Sequence, residues 1–220
     1  LAGRAVRRPA LSQNINRETA MRGDQQRVQE RPGQHVYRRG YWYIAGDEVM
    51  LVSAGAGMPA NGLRAYPFRI RASVQIVALG TRITTGAAGL MQLGIYPASK
   101  RTLQPEGLPV AVTGDIDVSA AANVSGAVIG GSALLPRGVY WFAANNNIGA
   151  LVAQVGGVAT NYYGTLVGSA SQDIIASGSV NAAAHRFASA TYGFWPDLSK
   201  GTMAETGTSP YALGQFQVAP

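Results

Sequence analysis

Between residues 63 and 96 apolar and polar positions alternate more regularly than anywhere else in the chain. Phe68, Ile70, Ala72, Val74 and Ile76 fall on one face at period two, and Arg69, Arg71, Ser73 and Gln75 fall on the other. This alternation predicts a half-buried strand. Thr81 to Thr85 continue in β-favouring residues, and Gly86-Ala87-Ala88-Gly89 breaks the run. Leu90, Gln92 and Gly94 then alternate with Met91, Leu93 and Ile95 as far as Pro97, where proline ends the ladder. The stretch reads as two strands and the turn between them.

The same pattern recurs on both sides. Residues 36–43 and 44–52 predict short opening strands, and Asn61-Gly62 is a tight-turn signal. Residues 98–109 carry two prolines and read as a surface loop. Residues 110–118 predict a strand broken near Gly114, and 125–135 another, rich in small residues. Val139 to Ala143 form an aromatic strand stopped by Asn145-Asn146-Asn147. Further strands are expected at 150–155, 158–166, 186–194 and 212–218. About eight to ten short strands at this spacing predict a sandwich or barrel. In the aromatic runs, Trp42 is expected to point away from its flanking tyrosines, and Trp141 to pack inside the sandwich.

Residues 1–36 differ. Residues 16–30 are polar all round, which is a poor basis for a helix standing alone. The charge is concentrated here. Residues 1–40 hold nine arginines (Arg4, Arg7, Arg8, Arg17, Arg22, Arg27, Arg31, Arg38 and Arg39) against three acids, a net of +6. Residues 41–220 hold nine basic and eight acidic groups, a net of +1. The expected division is therefore an Arg-rich extended N-terminal arm, 1–36, and a β-sandwich domain, 37–220. Such an arm suits an acidic protein surface or a neighbouring subunit. Nucleic acid is the weaker reading, because acids and glutamines interleave the arginines and no aromatic ladder is present to stack bases.

Composition narrows the chemistry. The chain has 220 residues, 28 of them glycine, and no cysteine. It is too apolar for a disordered chain and too rich in glycine for a helical bundle. Disulfides and thiolate metal sites are excluded. No uninterrupted apolar stretch long enough for a membrane span is present. His35 and His185 are far apart, so no metal site is expected. Asp115 and Asp117 flank Ile116. They could hold calcium or serve as an acid–base pair, but a solvated strand edge is the preferred reading. No nucleophile elbow or phosphate loop is present, no catalytic residue is identified and no cofactor is implied. The aromatic residues Tyr162, Tyr163 and Trp195, near strand ends, are the candidates for ligand contact. Small residues such as Gly126, Gly130, Gly131, Ala133, Gly168 and Ala170 give uncharged surface suited to close packing between like subunits.

One ordered set of motifs goes further. Leu63-Arg64-Ala65-Tyr66-Pro67-Phe68 is followed by Thr84-Thr85-Gly86-Ala87-Ala88-Gly89, by Leu93-Gly94-Ile95-Tyr96, and by Leu135-Pro136-Arg137-Gly138-Val139-Tyr140-Trp141-Phe142-Ala143. This set resembles a β-sandwich domain of tailed-bacteriophage virion proteins, especially tail fibres and related appendages. The pattern departs from the family's at Arg64-Ala65-Tyr66 and at Phe142. The resemblance implies an all-β, antiparallel, jelly-roll-like sandwich. It implies a structural virion protein and not an enzyme: a tail-fibre or appendage module for assembly and host-receptor attachment. Its expected partners are other virion proteins, two further copies in a homotrimer, and a host surface glycan or protein. The alternative it leaves open is a capsid decoration or cement protein, or head fibre, whose basic arm binds the shell.

Overall fold

The computed structural model describes residues 37–45, 52–149, 151–156, 186–199, 204–205 and 214–220. These residues belong to the unit Tyr37–Pro220, which the chain divides from Leu1–Val36. Among them there is no helix. Two antiparallel sheets pack face to face as a β-sandwich.

The first sheet contains β1 (Trp42–Ile44), β2 (Val52–Met58), β4 (Val74–Thr85), β8 (Asn123–Ala127), β9 (Ala133–Leu135), β11 (Leu151–Gly156) and β14 (Gly214–Val218). The second contains β3 (Gly62–Ile70), β5 (Leu90–Pro97), β6 (Ala111–Val112), β7 (Ile116–Asp117), β10 (Gly138–Asn146), β12 (Arg186–Ser189) and β13 (Ala204–Glu205). Strand β4 is the hub of the first sheet and pairs with β14, β11, β8 and β9. In the second sheet β10 lies between β3 and β5. The chain passes repeatedly from one sheet to the other.

The alternation at residues 68–76 has an origin that differs from the sequence expectation. It is not one strand. β3 ends at Ile70, β4 begins at Val74, and the chain changes sheet between them. Phe68 and Ile70 face the core from one side, and Val74 and Ile76 face it from the other. Period two survives the corner because both inner faces look at the same core. β4 and β5 likewise lie in different sheets, so residues 86–89 form a crossing and not a hairpin turn. Gly86 is needed there, since a β-carbon would collide with the backbone of Ser119 and Ala120.

The core between the sheets is aromatic. Tyr43 stacks on Phe216 at 5.8 Å, Phe216 meets Phe68 at 6.2 Å, and Phe68 meets Tyr140 at 6.2 Å. Tyr37 closes the end of this series, edge-on to Tyr43 at 5.0 Å. Tyr66 crosses from the second sheet to the first: its hydroxyl donates to the Ala45 carbonyl at 2.7 Å and accepts from the Gly214 amide at 2.8 Å. Along one side the sandwich is closed by Thr113, which bridges to Val128 and also accepts from the Leu93 amide at 3.0 Å.

Several elements differ in extent from the sequence expectation. Residues 110–118 give two short strands, β6 and β7, interrupted around Gly114. Residues 125–135 give β8 and β9, separated by Gly130 and Gly131 with φ of +87° and +85°. Strand β10 does not stop before Asn145. It includes Asn145 and Asn146, both fully buried. Residues 190–199 are not strand but a covering segment. The expected strand at 158–166 lies outside the described residues. Gly126 is half-buried and turns inward, where a β-carbon would meet Ile116 and Thr113 at 3.0 Å.

Candidate functional site

Trp141 corrects the expectation that it packs between the sheets. Tyr140 and Phe142 face the inner core, so the intervening Trp141 must face outward from the second sheet. It is nevertheless 0% exposed. A second apolar cluster covers it there, built from Leu63, Ala65, Tyr96, Ala143, Ala190 and Leu198. Its indole N–H donates to the Leu103 carbonyl at 2.8 Å. The outer face of this sheet is therefore roofed by the loop after β5 and by residues 190–199.

The roof is fixed by polar contacts at defined points. Leu198 donates its amide to the Gly107 carbonyl at 2.9 Å, and the Tyr96 hydroxyl donates to the Pro196 carbonyl at 3.0 Å. Burial, together with the nearby Asp197 carboxylate, raises the Tyr96 phenol well above its ordinary value. At the other end, the Tyr192 amide donates to Oδ1 of Asn61 at 3.1 Å, and Asn145 donates through Nδ2 to the Thr191 carbonyl at 3.3 Å. Asn61 itself sits at φ +53°, a conformation that asparagine tolerates at a tight turn. Sequence reasoning marked Asn61-Gly62 as a turn but not Asn61 as an anchor for a segment more than a hundred residues away.

Trp195 is one of the three aromatic candidates, and its position departs from the expected exposure. It is half-buried. Its ring lies on Gly94 of β5, where a β-carbon would come within 2.7 Å, and it meets Tyr96 at a centroid distance of 6.0 Å. Its indole N–H donates to Oε1 of Gln92 at 3.0 Å. Trp195 is an anchor of the roof before it is a surface for a ligand. Tyr162 and Tyr163 lie outside the described residues.

Asp115 and Asp117 do not act as a pair. Oδ1 of Asp115 accepts from the Tyr192 hydroxyl at 2.7 Å and from Nε2 of Gln92 at 2.8 Å. These two donors, Tyr192 first, hold its carboxyl below the usual carboxylate range. Asp117 instead caps its own turn by accepting from the Ser119 amide at 2.9 Å, which lowers its carboxyl likewise. Both carboxylates are exposed, and the described residues contain no cluster of three metal-ligating side chains.

Of the arm arginines, only Arg38 and Arg39 are described. Both are exposed at the turn before β1, and the Arg38 guanidinium lies 5.8 Å from the centroid of the Tyr41 ring. Arg4, Arg7, Arg8, Arg17, Arg22, Arg27 and Arg31 lie outside the described residues. Trp42 and Ile44 point away from the core as edge residues of the first sheet, with Trp42 40% exposed. Tyr43 between them turns inward, as the alternation predicts, but Tyr41 before β1 is exposed. No described helix is long and apolar enough to cross a membrane.

The residue that the sequence did not single out is Phe194. It is 61% exposed, between two anchored aromatics. The signal available was local: Tyr192-Gly193-Phe194-Trp195 places a glycine among three rings, which is turn chemistry inside an apolar run. No protein-family model matches the chain, and no curated protein or solved structure matches it.

Proposed function

We propose that this chain is a structural protein of a tailed-bacteriophage particle, an appendage module of tail-fibre type that serves assembly and host attachment. One observation carries the reading. Three of the motifs behind the resemblance fall on β3, β5 and β10, which are neighbours in one sheet. Tyr140 stands opposite Phe68 and Pro97, Trp141 opposite Pro67 and Tyr96, and Phe142 opposite Tyr66 and Ile95. Segments far apart in sequence thus meet as one hydrogen-bonded unit.

The mechanism is mechanical. A sandwich held by a continuous aromatic core supplies a rigid body, and the outer edge with Trp42 and Ile44 supplies apolar surface for contact with like subunits. A homotrimer closed through such surface uses each patch once per subunit. The Arg-rich segment 1–36 adds a basic tether for another virion protein. That same segment favours the second reading, a capsid decoration or cement protein or head fibre. Copy number in purified particles separates the two. The appendage reading expects a few to a few dozen copies per particle, in the order of magnitude set by small cyclic assemblies. Labelling over the whole shell would replace it with decoration, and absence from the particle would overturn both.

A further inference from the structure

Strand β1 ends the first sheet. It pairs with β14 on one side, and among the described residues no strand lies on the other. The bonds to β14 fix which backbone groups face that open side. Ala45 donates its amide to the Gly214 carbonyl at 2.8 Å, and Val218 donates to the Tyr41 carbonyl at 3.0 Å. With Tyr43 opposite Phe216, the positions bonded to β14 are therefore 41, 43 and 45. Trp42 and Ile44 turn their N–H and C=O groups the other way, toward the open edge. Their side chains are exposed on the outer face of the sheet. The Trp42 ring reaches back over Gly80 of β4, where a β-carbon would stand 3.2 Å from it.

An open edge with apolar side chains is a template for another strand. The flanking charges decide which strand it takes. Arg38 and Arg39 precede β1 and are exposed. Gly40 at φ +74° turns the chain just before β1, so the ladder is short and the arginines flank it. After β1 the sequence continues Gly46-Asp47-Glu48. Asp47 and Glu48 lie outside the described residues, so the match is one of sequence order. Arg39 and Asp47 are equally distant in sequence from Tyr43, as are Arg38 and Glu48, and Gly40 and Gly46. Turned end for end, segment 38–48 meets its own charges with opposite sign. Arginine beside an edge ordinarily guards it against pairing. Here that guard fails for one partner, whose acids meet it.

We propose that β1 pairs antiparallel with β1 of a second copy of this chain, Tyr43 against Tyr43, about a two-fold axis. Trp42 of each copy then stands opposite Ile44 of the other, and the two exchange both backbone hydrogen bonds. Their side chains share the outer face, an aromatic against a β-branched residue, which is a favourable cross-strand pair. The basic start of each strand meets the acidic end of the other. Sliding the strands either way to the next bonded register carries Arg38 and Arg39 to uncharged positions. The first sheets of the two copies become one continuous sheet. This inference goes beyond the particle reading above and does not depend on it. A strand paired with its own copy is isologous. It gives dimers, or joins trimers in pairs where other surface closes the trimer.

The test uses the full-length chain. Sedimentation equilibrium and native mass spectrometry, at low and raised salt, give its mass. An even number of chains is expected, with dissociation favoured by salt, which screens the flanking charges. A monomer or a trimer at every concentration would overturn the proposal. Two double variants assign the edge. Arg38→Glu with Arg39→Glu makes both flanks acidic, and Asp47→Arg with Glu48→Arg makes both basic. Each alone is expected to self-associate about tenfold or more weakly, because like charges are opposed. Mixed in equal amounts, the two are expected to pair with each other, since every acidic flank then meets a basic one. Failure of the mixture to associate, or undiminished self-association of either variant, would overturn the proposal. Amide hydrogen exchange on the unaltered chain needs no variant. Protection at Trp42 and Ile44 is expected in the associated protein. Rapid exchange at both would mean that another surface holds the copies together, and would overturn it too.

Discussion

The ring of Trp195 rests on the α-carbon of Gly94, so close that a β-carbon on Gly94 would stand 2.7 Å from the indole. One glycine in the middle of a strand thus makes room for a side chain a hundred residues later. Replacing Gly94 with valine pushes the ring off the sheet and breaks its bond to Gln92. The loss expected is about 1–3 kcal/mol, the usual cost of overpacking. Denaturant unfolding measures it. Proteolysis within residues 190–199 should accelerate in the variant, because the roof loses an anchor while β3, β5 and β10 remain paired.

Tyr66→Phe leaves the Ala45 carbonyl and the Gly214 amide without their shared hydroxyl. The ring volume is kept, so the effect isolates the hydrogen bonds. Each buried group left unsatisfied costs about 1–3 kcal/mol. The expected outcome is a lower denaturation midpoint at an unchanged denaturant slope, since the same surface is exposed on unfolding. Hydrogen exchange should quicken at Gly214 and in β14 ahead of β10.

Trp141→Phe removes the bond to the Leu103 carbonyl and opens space beneath the roof. The cost expected is about 1–4 kcal/mol, a hydrogen bond and a partial cavity together. The inner aromatic series faces the other way and should be undisturbed. Near-ultraviolet circular dichroism therefore keeps its tyrosine features and loses a tryptophan one. Loss of both would place Trp141 in the main core after all.

The acid limb of the stability profile should depend on Asp115. Its carboxyl is held below the usual range by Tyr192 and then Gln92. A depressed folded value means stability that is present above the unfolded value of about 4 and is lost as pH falls through the folded one. In Asp115→Asn that part of the slope disappears, and the melting temperatures of wild type and variant converge at low pH. Asp117, lowered by Ser119, keeps its own share. Equal acid slopes in the two proteins would contradict the assignment.

A chain beginning at Tyr37 should fold cooperatively. Among the described residues, both apolar clusters are built from positions at or after Tyr37. Calorimetry on this shortened chain should show a single transition. Failure to fold would mean that residues 1–36 complete the core.

The sequence alone carried the fold class, because period-two alternation is imposed locally by the pleat. Phe68, Ile70, Val74, Ile76, Leu93 and Ile95 are all buried as that alternation predicts. What alternation does not encode is which sheet a strand joins. Phe68 and Val74 keep the same parity across a change of sheet, so two strands read as one. Nor does it say how many faces of a sheet are buried. Trp141 and Tyr140 are both buried, on opposite faces, because residues 190–199 and the loop after β5 fold back over the outer side. The circuit of Asp115, Gln92, Tyr192 and Trp195 was invisible for the same reason. Its members are 23 to 103 residues apart where they bond, and only the tertiary structure brings such polar groups within hydrogen-bonding distance.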